Sequence, residues 1–417
     1  MQRWLKFVKY LSKLGWEITI YTPENPEFPV TDESLLRDVP AGINILTQPI
    51  WEPYSVYKKF VGRSKKDGIG ASFMSEEKEP SKAEKLSRWV RGNWFIPDAR
   101  KFWIGPSIKF LSPRVQKGKF DIIISTGPPH SMHLIALALK EKFRTPWLAD
   151  FRDPWTEIDF VDELRLTDRS KAKHAELEKR VIQKCDHLVV VSQTMAKSFS
   201  NLKKADDITD IPNGYDDDDF GSANPVELKS GFNIAHVGSL TPDRNAPALW
   251  KALSELCATN VTFTSELKLR FIGKVDIKAR QELESLDLWK HVEVVDYVPH
   301  KELLTHLMEN QILLLLVNQT KNAKMILTGK IFEYLKAKRP ILAIAPTDGD
   351  LSKLLDHTQS GWAVDFGDVS GLKQHLSRMF EQHKLGSLTI DSQKIEDYSR
   401  ERLTLSLSDL VQRILNS

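Results

Sequence analysis

Lys324-Met325-Ile326-Leu327-Thr328-Gly329-Lys330-Ile331-Phe332-Glu333-Tyr334-Leu335-Lys336-Ala337-Lys338-Arg339-Pro340 lies between two fully apolar runs, Ile312–Val317 and Ile341–Ile344. Neither run alternates polar with apolar residues, so each reads as a strand buried on both faces of a parallel sheet. Between them, Thr328-Gly329 reads as the cap of a helix whose inner positions are Ile331, Phe332 and Leu335, and Pro340 marks its end. Lys330 and Glu333 stand three apart, so they share one face at the positive end of that helix. A helix N-terminus at the end of a parallel strand is an anion site. A lysine and a carboxylate placed there read as contacts to a phosphate-bearing ligand that also offers hydroxyls.

The same alternation extends in both directions. Upstream in the second half come strand Phe232–Val237, helix Ala246–Cys257, strand Leu267–Ile272, helix Asp276–Leu286, strand His291–Val295 and helix Lys301–Glu309. The first half gives strand Phe120–Ser125, helix Ser131–Lys142, strand Trp147–Phe151, helix Lys171–Lys184, strand His187–Val191, helix Gln193–Phe199 and strand Ile208–Ile211. Pro212-Asn213-Gly214 is turn chemistry, and the acidic Asp216–Asp219 with Gly221-Ser222 reads as a linker. Strand/helix alternation on both sides of a linker implies an α/β protein of two doubly wound, Rossmann-like domains facing across a ligand cleft. The expected division is residues 1–215, residues 225–390, and a C-terminal amphipathic helix within 391–417 that packs back toward the first domain.

The N-terminal region departs from this regularity. Met1–Leu14 has helical spacing at Trp4, Phe7, Val8 and Leu11, and the short strands Glu17–Tyr21 and Ile43–Leu46 follow. A doubly wound domain normally places a strand and a glycine-rich turn before such a helix. The expectation is therefore a domain lacking its first strand and the loop after it. Residues 54–111 then mix Lys/Arg with Trp89, Trp94, Phe95, Phe102, Trp103 and Phe110. From Lys58 to Lys119 stand 16 Lys/Arg and six Asp/Glu, a charge of +10 that leaves −7 for the rest of a chain whose net charge is +3. This segment reads either as a solvated surface insertion or as an interfacial segment meeting an anionic membrane surface. No nucleic-acid-binding motif accompanies the charge.

A 417-residue chain with 41% hydrophobic residues can bury two cores. Two isolated cysteines, Cys185 and Cys257, exclude a disulfide scaffold or a Cys-based zinc site and fit a reducing compartment. No apolar run approaches the ~20 residues of a spanning helix. The expected location is the cytoplasm, with the possibility of resting on the inner membrane face.

Three further strand ends carry candidate site chemistry. Gly238-Ser239-Leu240-Thr241-Pro242-Asp243-Arg244 follows the first strand of the second domain, where a glycine lets backbone amides approach a phosphate and Arg244 can complete its charge. Ala149-Asp150-Phe151-Arg152-Asp153-Pro154-Trp155 ends a strand of the first domain, with Asp150 open as a partner for Arg152. Ser125-Thr126-Gly127-Pro128-Pro129-His130-Ser131-Met132-His133 is another strand-to-helix turn, in which either histidine is a cap, a core residue or a ligand contact. A metalloprotease His/Glu pair, a Walker loop, a Gly-x-Ser-x-Gly elbow and a Gly-x-Gly-x-x-Gly fingerprint are all absent.

Taken in order, these pieces resemble the retaining, GT-B-fold glycosyltransferases of family 4 (glycosyl transferases group 1). The resemblance is carried by Leu11-Ser12-Lys13-Leu14-Gly15-Trp16-Glu17, Ala149–Trp155, Glu178 through Asp186 to Val191-Ser192, and Ile211-Pro212-Asn213-Gly214-Tyr215-Asp216. Val237-Gly238-Ser239-Leu240 and Gly329–Leu335 with Arg339-Pro340-Ile341-Leu342 complete it. It implies a nucleotide-sugar donor bound mainly in the second domain, a glycan or lipid-linked acceptor in the first, retained anomeric configuration, and neither metal nor cofactor. It further implies that Arg244 and Lys330 contact the donor diphosphate, that Gly238, Ser239, Thr328 and Gly329 line it, and that Glu333 holds the ribose. On the acceptor side it implies catalytic roles for Asp153, Arg152, and His133 or His130.

The sequence departs from that pattern at four places. Glu333 matches the second glutamate of the family's Glu-x7-Glu motif, and Met325 stands eight residues before it where the family carries the first. Ser239 stands where many members carry arginine, Arg152 where many carry histidine, and the histidine usual after the Phe120–Ser125 strand has no single match. These departures keep two other readings in view, a nucleotide-sugar epimerase on the same fold and a non-catalytic nucleotide-binding protein.

Overall fold

The computed structural model describes all residues except 1, 27–32, 53–81, 159–163, 221–225, 297 and 299. It separates into two compact units, Met1–Pro212 with Leu403–Ser417, and Asn213–Arg402.

In the first unit, β1 (Thr19–Pro23) pairs in parallel with β2 (Asn44–Gln48), and a four-stranded parallel sheet runs β3 (Ile123–Gly127), β4 (Trp147–Phe151), β5 (His187–Val190), β6 (Ile208–Asp210). β4 and β5 are buried along their whole length, as strands covered on both faces of a parallel sheet are. Phe7 and Leu11 of the first helix, Gln2–Lys13, meet Leu148, Val189 and Ile211 of the sheet. The same cluster takes Leu403, Leu407 and Leu410, spaced four and three apart on one stripe of the last helix, Arg400–Asn416. Within 391–417 the helix starts only at Arg400, because Ile395–Tyr398 forms a separate 3-10 turn before it.

From Lys82 on, the basic aromatic segment is corrected from a surface insertion to a structural part of this unit. Its residues up to 81 lie outside the described ones, but Lys82–Trp94 and Lys101–Gln116 are helices. Trp103 is 1% exposed and stacks on Tyr21 at 4.7 Å and 8°, in a cluster with Val115, Ile135 and Leu139. The Tyr21 hydroxyl bonds Gln48 and Ser107 at 2.9 and 2.8 Å. Pro106 and Pro113 lie inside the second helix and break its periodicity, which hides it from a sequence reading. Trp94, at 67% exposed, and Phe102 remain at the surface.

Asp150, at the end of β4, is fully buried and joins three elements. Arg3 reaches it at 3.0 Å and also donates to the Ile211 and Pro212 carbonyls at 2.8 and 2.7 Å. Trp4 Nε1 and Thr126 Oγ1 donate to the same carboxylate at 2.6 and 2.8 Å. The partner of Asp150 is thus Arg3 rather than Arg152.

The second unit is a six-stranded parallel sheet in the order β12 (Gly361–Val364), β11 (Ile341–Ile344), β10 (Ile312–Leu316), β7 (Phe232–Val237), β8 (Leu267–Ile272), β9 (Val292–Val295). Helices Pro247–Thr259 and Val369–Lys384 cover one face through Leu249, Trp250, Leu253, Leu372, Leu376 and Phe380. Helices Lys330–Ala337 and Asp350–Thr358 cover the other through Ile331, Phe332, Leu335, Leu351 and Leu355. Each large side chain so buried contributes about 1.5–3 kcal/mol. Helix Asp350–Thr358, β12 and helix Val369–Lys384 extend the alternation past Ile344, where the sequence reading stopped assigning elements. The chain order reverses between β7 and β10, so the open corner of this sheet lies at their carboxyl ends.

Removing one partner of a buried ion pair strands the other charge. Arg3→Met is therefore expected to lower unfolding free energy by about 3–5 kcal/mol, measured by urea denaturation. A loss below about 1 kcal/mol would contradict the buried pairing with Asp150.

Candidate active site

The first part of the site is the corner where β7 and β10 end. Gly238 leaves β7 at φ +99°, and a Cβ there would overlap the Lys330 ammonium and stand 2.8 Å from its Cε. Gly273, leaving β8 at φ +132°, backs it, since a Cβ there would meet the Gly238 carbonyl carbon at 2.9 Å. Both conformations fall where a side chain is strained, and both approaches leave no room for one. The chain is held there by Gly238 N–H donating to the Ile272 carbonyl and Gly273 N–H to that of Val295, each at 2.8 Å.

Lys330 opens the helix Lys330–Ala337 and lies folded over Gly238. Its pKa is lowered to about 8, first by burial and then by the nearby Arg244, against the opposing pull of Glu333. Arg244 is fixed above the end of β10 by donating from Nε to Asn318 Oδ1 at 2.6 Å. Ser239 is half-buried beside Gly238, and Glu333 is half-buried on the first helical turn. The expected cap is corrected: no side chain caps this helix, and Thr328 Oγ1 is buried without a hydrogen-bond partner among the described residues. Two cations that repel one another at an uncapped helix start form a corner that an anion would stabilise.

Two residues of this corner escaped the sequence reading. The buried Tyr334 hydroxyl accepts from Val237 N–H at 3.1 Å and reaches the Leu314 carbonyl at 3.4 Å. It fills the place where the β7/β10 ladder, paired at Ile234–Ile312 and Ala235–Leu313, gives way. His236 Nδ1 lies 3.0 Å from the same carbonyl, and burial, reinforced by Lys330, lowers its pKa to about 3. In sequence both look like ordinary core positions, so no local signal marks them.

The second part lies within the first unit, at the ends of β3 and β4. A cavity of about 900 Å³ is lined there by Arg152, Asp153 and His130, together with residues from helix Lys82–Trp94, from the loop at 95–100 that follows it and from Asp168–Lys184. His130 stacks on Trp155 at 4.5 Å and 4°, and its pKa is driven well below 6.5, first by burial and then by His133, His174 and Arg152. Trp155 is set by Glu178, which accepts from its N–H at 3.0 Å, and by donating from Nε1 to His174 at 2.9 Å. Arg152 donates to the Pro128 carbonyl, and burial lowers its pKa against the opposing pull of Asp150 and Asp153. Asp153 is exposed at the wall. His133 lies behind the cavity in the core, stacked on Phe151 at 4.5 Å and 8°, with Nδ1 2.8 Å from Ser125 Oγ. Ser125 Oγ also accepts from Trp147 Nε1 at 2.9 Å, and burial lowers the His133 pKa to about 3.

Comparison with known proteins gives this arrangement a class. Residues 66–219 match Glycosyltransferase Family 4, and residues 231–382 match Glycosyl transferases group 1. The chain belongs to the GT-B-fold glycosyltransferases of the family-4, group-1 kind. A glycosyltransferase from Rickettsia africae superposes with a TM-score of 0.61 at 14% identity, covering 99% of this chain and 94% of that one. Anabaena HepE, solved in complex with UDP, gives 0.57 at 13% identity over 80% of this chain and 97% of that one. The lipopolysaccharide outer core galactosyltransferase WaaB gives 0.55 at 13% identity over 95% and 99%. At these identities the likeness establishes the fold. No curated protein shows a significant sequence match.

Gly238→Ala is expected to expel Lys330 from its corner and to strain the backbone at positive φ. Titration of Lys330 followed by NMR should then move from about 8 back toward the ordinary lysine value. An unchanged titration would contradict the close packing of Lys330 on Gly238.

Proposed function

We propose that this glycosyltransferase transfers a sugar, with retained anomeric configuration, from a nucleotide-sugar donor to a glycan or lipid-linked acceptor in cell-surface polysaccharide synthesis. The observation that carries the reading is the convergence of Lys330 and Arg244 at the uncapped helix start, at the switch point of the second sheet. In this reading they hold the donor diphosphate, with Gly238, Ser239, Thr328 and Gly329 around it and Glu333 on the ribose. The departing group is a nucleoside diphosphate whose charge grows as the glycosidic bond breaks. Fixed cations and helix dipoles stabilise that charge without a nucleophilic side chain, a metal or a cofactor. The acceptor occupies the cavity of the first unit beside Asp153, Arg152 and His130, while His133 supports that wall from behind. UDP in the HepE structure supports a nucleotide ligand, and the lipopolysaccharide role in the name of WaaB supports a glycan acceptor.

Titration calorimetry with UDP, GDP and ADP is expected to find one that binds. Lys330→Ala with Arg244→Ala should weaken it roughly a hundredfold, as two charge-assisted contacts are lost. Anion binding favours the charged lysine, so affinity should fall as pH rises past about 8, and that fall should vanish in Lys330→Ala. Binding of none of the three, or binding indifferent to both substitutions, would overturn the donor assignment.

The reading places the enzyme in the cytoplasm at the inner membrane face. Among the described residues no helix is long and apolar enough to cross a membrane. Support for surface attachment is the exposed cluster in which Trp51 and Phe102 pack at 5.0 Å and Lys101 lies over Phe102 at 5.1 Å. Trp94→Ala with Phe102→Ala should reduce co-sedimentation with phosphatidylglycerol vesicles and leave UDP binding intact; equal pelleting of both proteins would count against attachment.

A further inference from the structure

The two strands that frame the donor corner are tied together again beyond their ends. The ladder between β7 and β10 is paired at Ile234–Ile312 and Ala235–Leu313, and both strands run on past it, to Val237 and Leu316. Tyr334 bridges them where the ladder gives way. Further along, the chain leaving β10 meets the chain leaving β7. Gln319 N–H donates to the Asp243 carbonyl at 2.9 Å, and Gln319 Nε2 donates to the Asn245 carbonyl at 3.1 Å. These ties flank Arg244, whose Nε donates to Asn318 Oδ1 at 2.6 Å.

The backbone on either side of Arg244 is set by the fold around it. Asn245 Oδ1 accepts from Ala246 N–H at 3.0 Å and from Trp250 Nε1 at 2.7 Å, and its amide donates to Glu282 Oε2 at 2.6 Å. Trp250 is fully buried in helix Pro247–Thr259, and Glu282 stands on helix Ile277–Ser285. Residues 243–245 are thus keyed to two helices and to the segment after β10. A fixed backbone still leaves a long, many-jointed side chain free to point in several directions. Asn318, half-buried one residue before Gln319, supplies the bond that chooses among them for Arg244.

We infer that Asn318 is a positioning residue of the donor site: its neutral side-chain oxygen aims the Arg244 guanidinium at the donor diphosphate and leaves the positive charge uncancelled. This rests on the donor reading of the corner and adds the residue that orients its arginine. The amide is the group the task requires. A carboxylate in the same place would accept the same bond, but it would pair with the guanidinium and compete with phosphate for it. An aliphatic side chain would leave the arginine to be ordered by the ligand, at the expense of affinity.

The test compares the full chain with Asn318→Ala and with the isosteric Asn318→Asp, first without ligand and then in calorimetric titrations with pyrophosphate, UDP, GDP and ADP. Without ligand, the Arg244 Nε–H resonance in Asn318→Ala is expected to exchange with water roughly tenfold faster, because its hydrogen bond is gone. Affinity should be roughly tenfold weaker in Asn318→Ala and weaker still in Asn318→Asp. In an Arg244→Ala background, Asn318→Ala should change affinity by less than about twofold, since a positioning residue acts through the residue it positions. Full affinity in Asn318→Asp would overturn the inference, because a side chain that merely held the loop would be served by either group. An equal loss on Asn318→Ala with and without Arg244 would overturn it too, as would unchanged exchange of the Arg244 proton. Pyrophosphate binding that depends on Asn318 while no nucleotide binds would sink the nucleotide assignment and support the orienting role. Binding of neither pyrophosphate nor any nucleotide by the unmodified chain would overturn both.

Discussion

Strands such as Ile312–Leu316 and Trp147–Phe151 are buried along their whole length, so they can offer chemistry only where they stop. At a parallel strand's carboxyl end the chain must turn into a helix, and the helix start leaves backbone amides unsatisfied. Every candidate group in the second unit stands at such an end: Gly238 after β7, Gly273 after β8, Asn318 after β10, and Lys330 at the head of the next helix. The reversal of order between β7 and β10 opens the corner they share.

Within that corner, glycine and lysine are mutually required. The backbone at Gly238 leaves no space for a side chain because Lys330 occupies it, and Lys330 is partly desolvated because it lies on that backbone. Tyr334 adds the registration, since its hydroxyl bridges β7 and β10 from the helix that carries Lys330 and Glu333. A phenolic oxygen serves here where the ladder itself has ended. The cations are thus poised before any ligand arrives, and preorganised charge of this kind is what leaving-group stabilisation needs.

The first unit solves a different problem, that of burying polar groups beneath a cavity. Asp150 is neutralised by Arg3 and bonded by Trp4 and Thr126, which ties the first helix to β3, β4 and the end of β6. His130 and His133 are both buried and both held neutral, one stacked against Trp155 at the wall and the other in the core. The basic segment, whose aromatic content suggested a surface role, divides its labour. Trp103 fills the core, Gly92 and Asn93 dock the Arg165 loop, and Trp94 and Phe102 stay outside.

Local pattern was enough for the architecture. Short strand-like segments between helical ones set β4, β7, β8 and β11 to the residue, and glycine or proline punctuation set most of the intervening helices. It also singled out Lys330, Glu333, Gly238 and Arg244 as candidates, because a strand end beside a helix start can be read from short-range sequence. It failed where prolines interrupt a buried helix, as at Pro106 and Pro113, and after Ile344. What the sequence could not decide is which distant polar groups meet. Arg3 and Asp150 are 147 residues apart, and Tyr334 and Val237 are 97 apart. Periodicity along the chain records which face of an element is buried, and local spacing records what one turn can hold. Pairing between elements depends on the order in which the sheet sets them side by side, and only the tertiary structure contains that order.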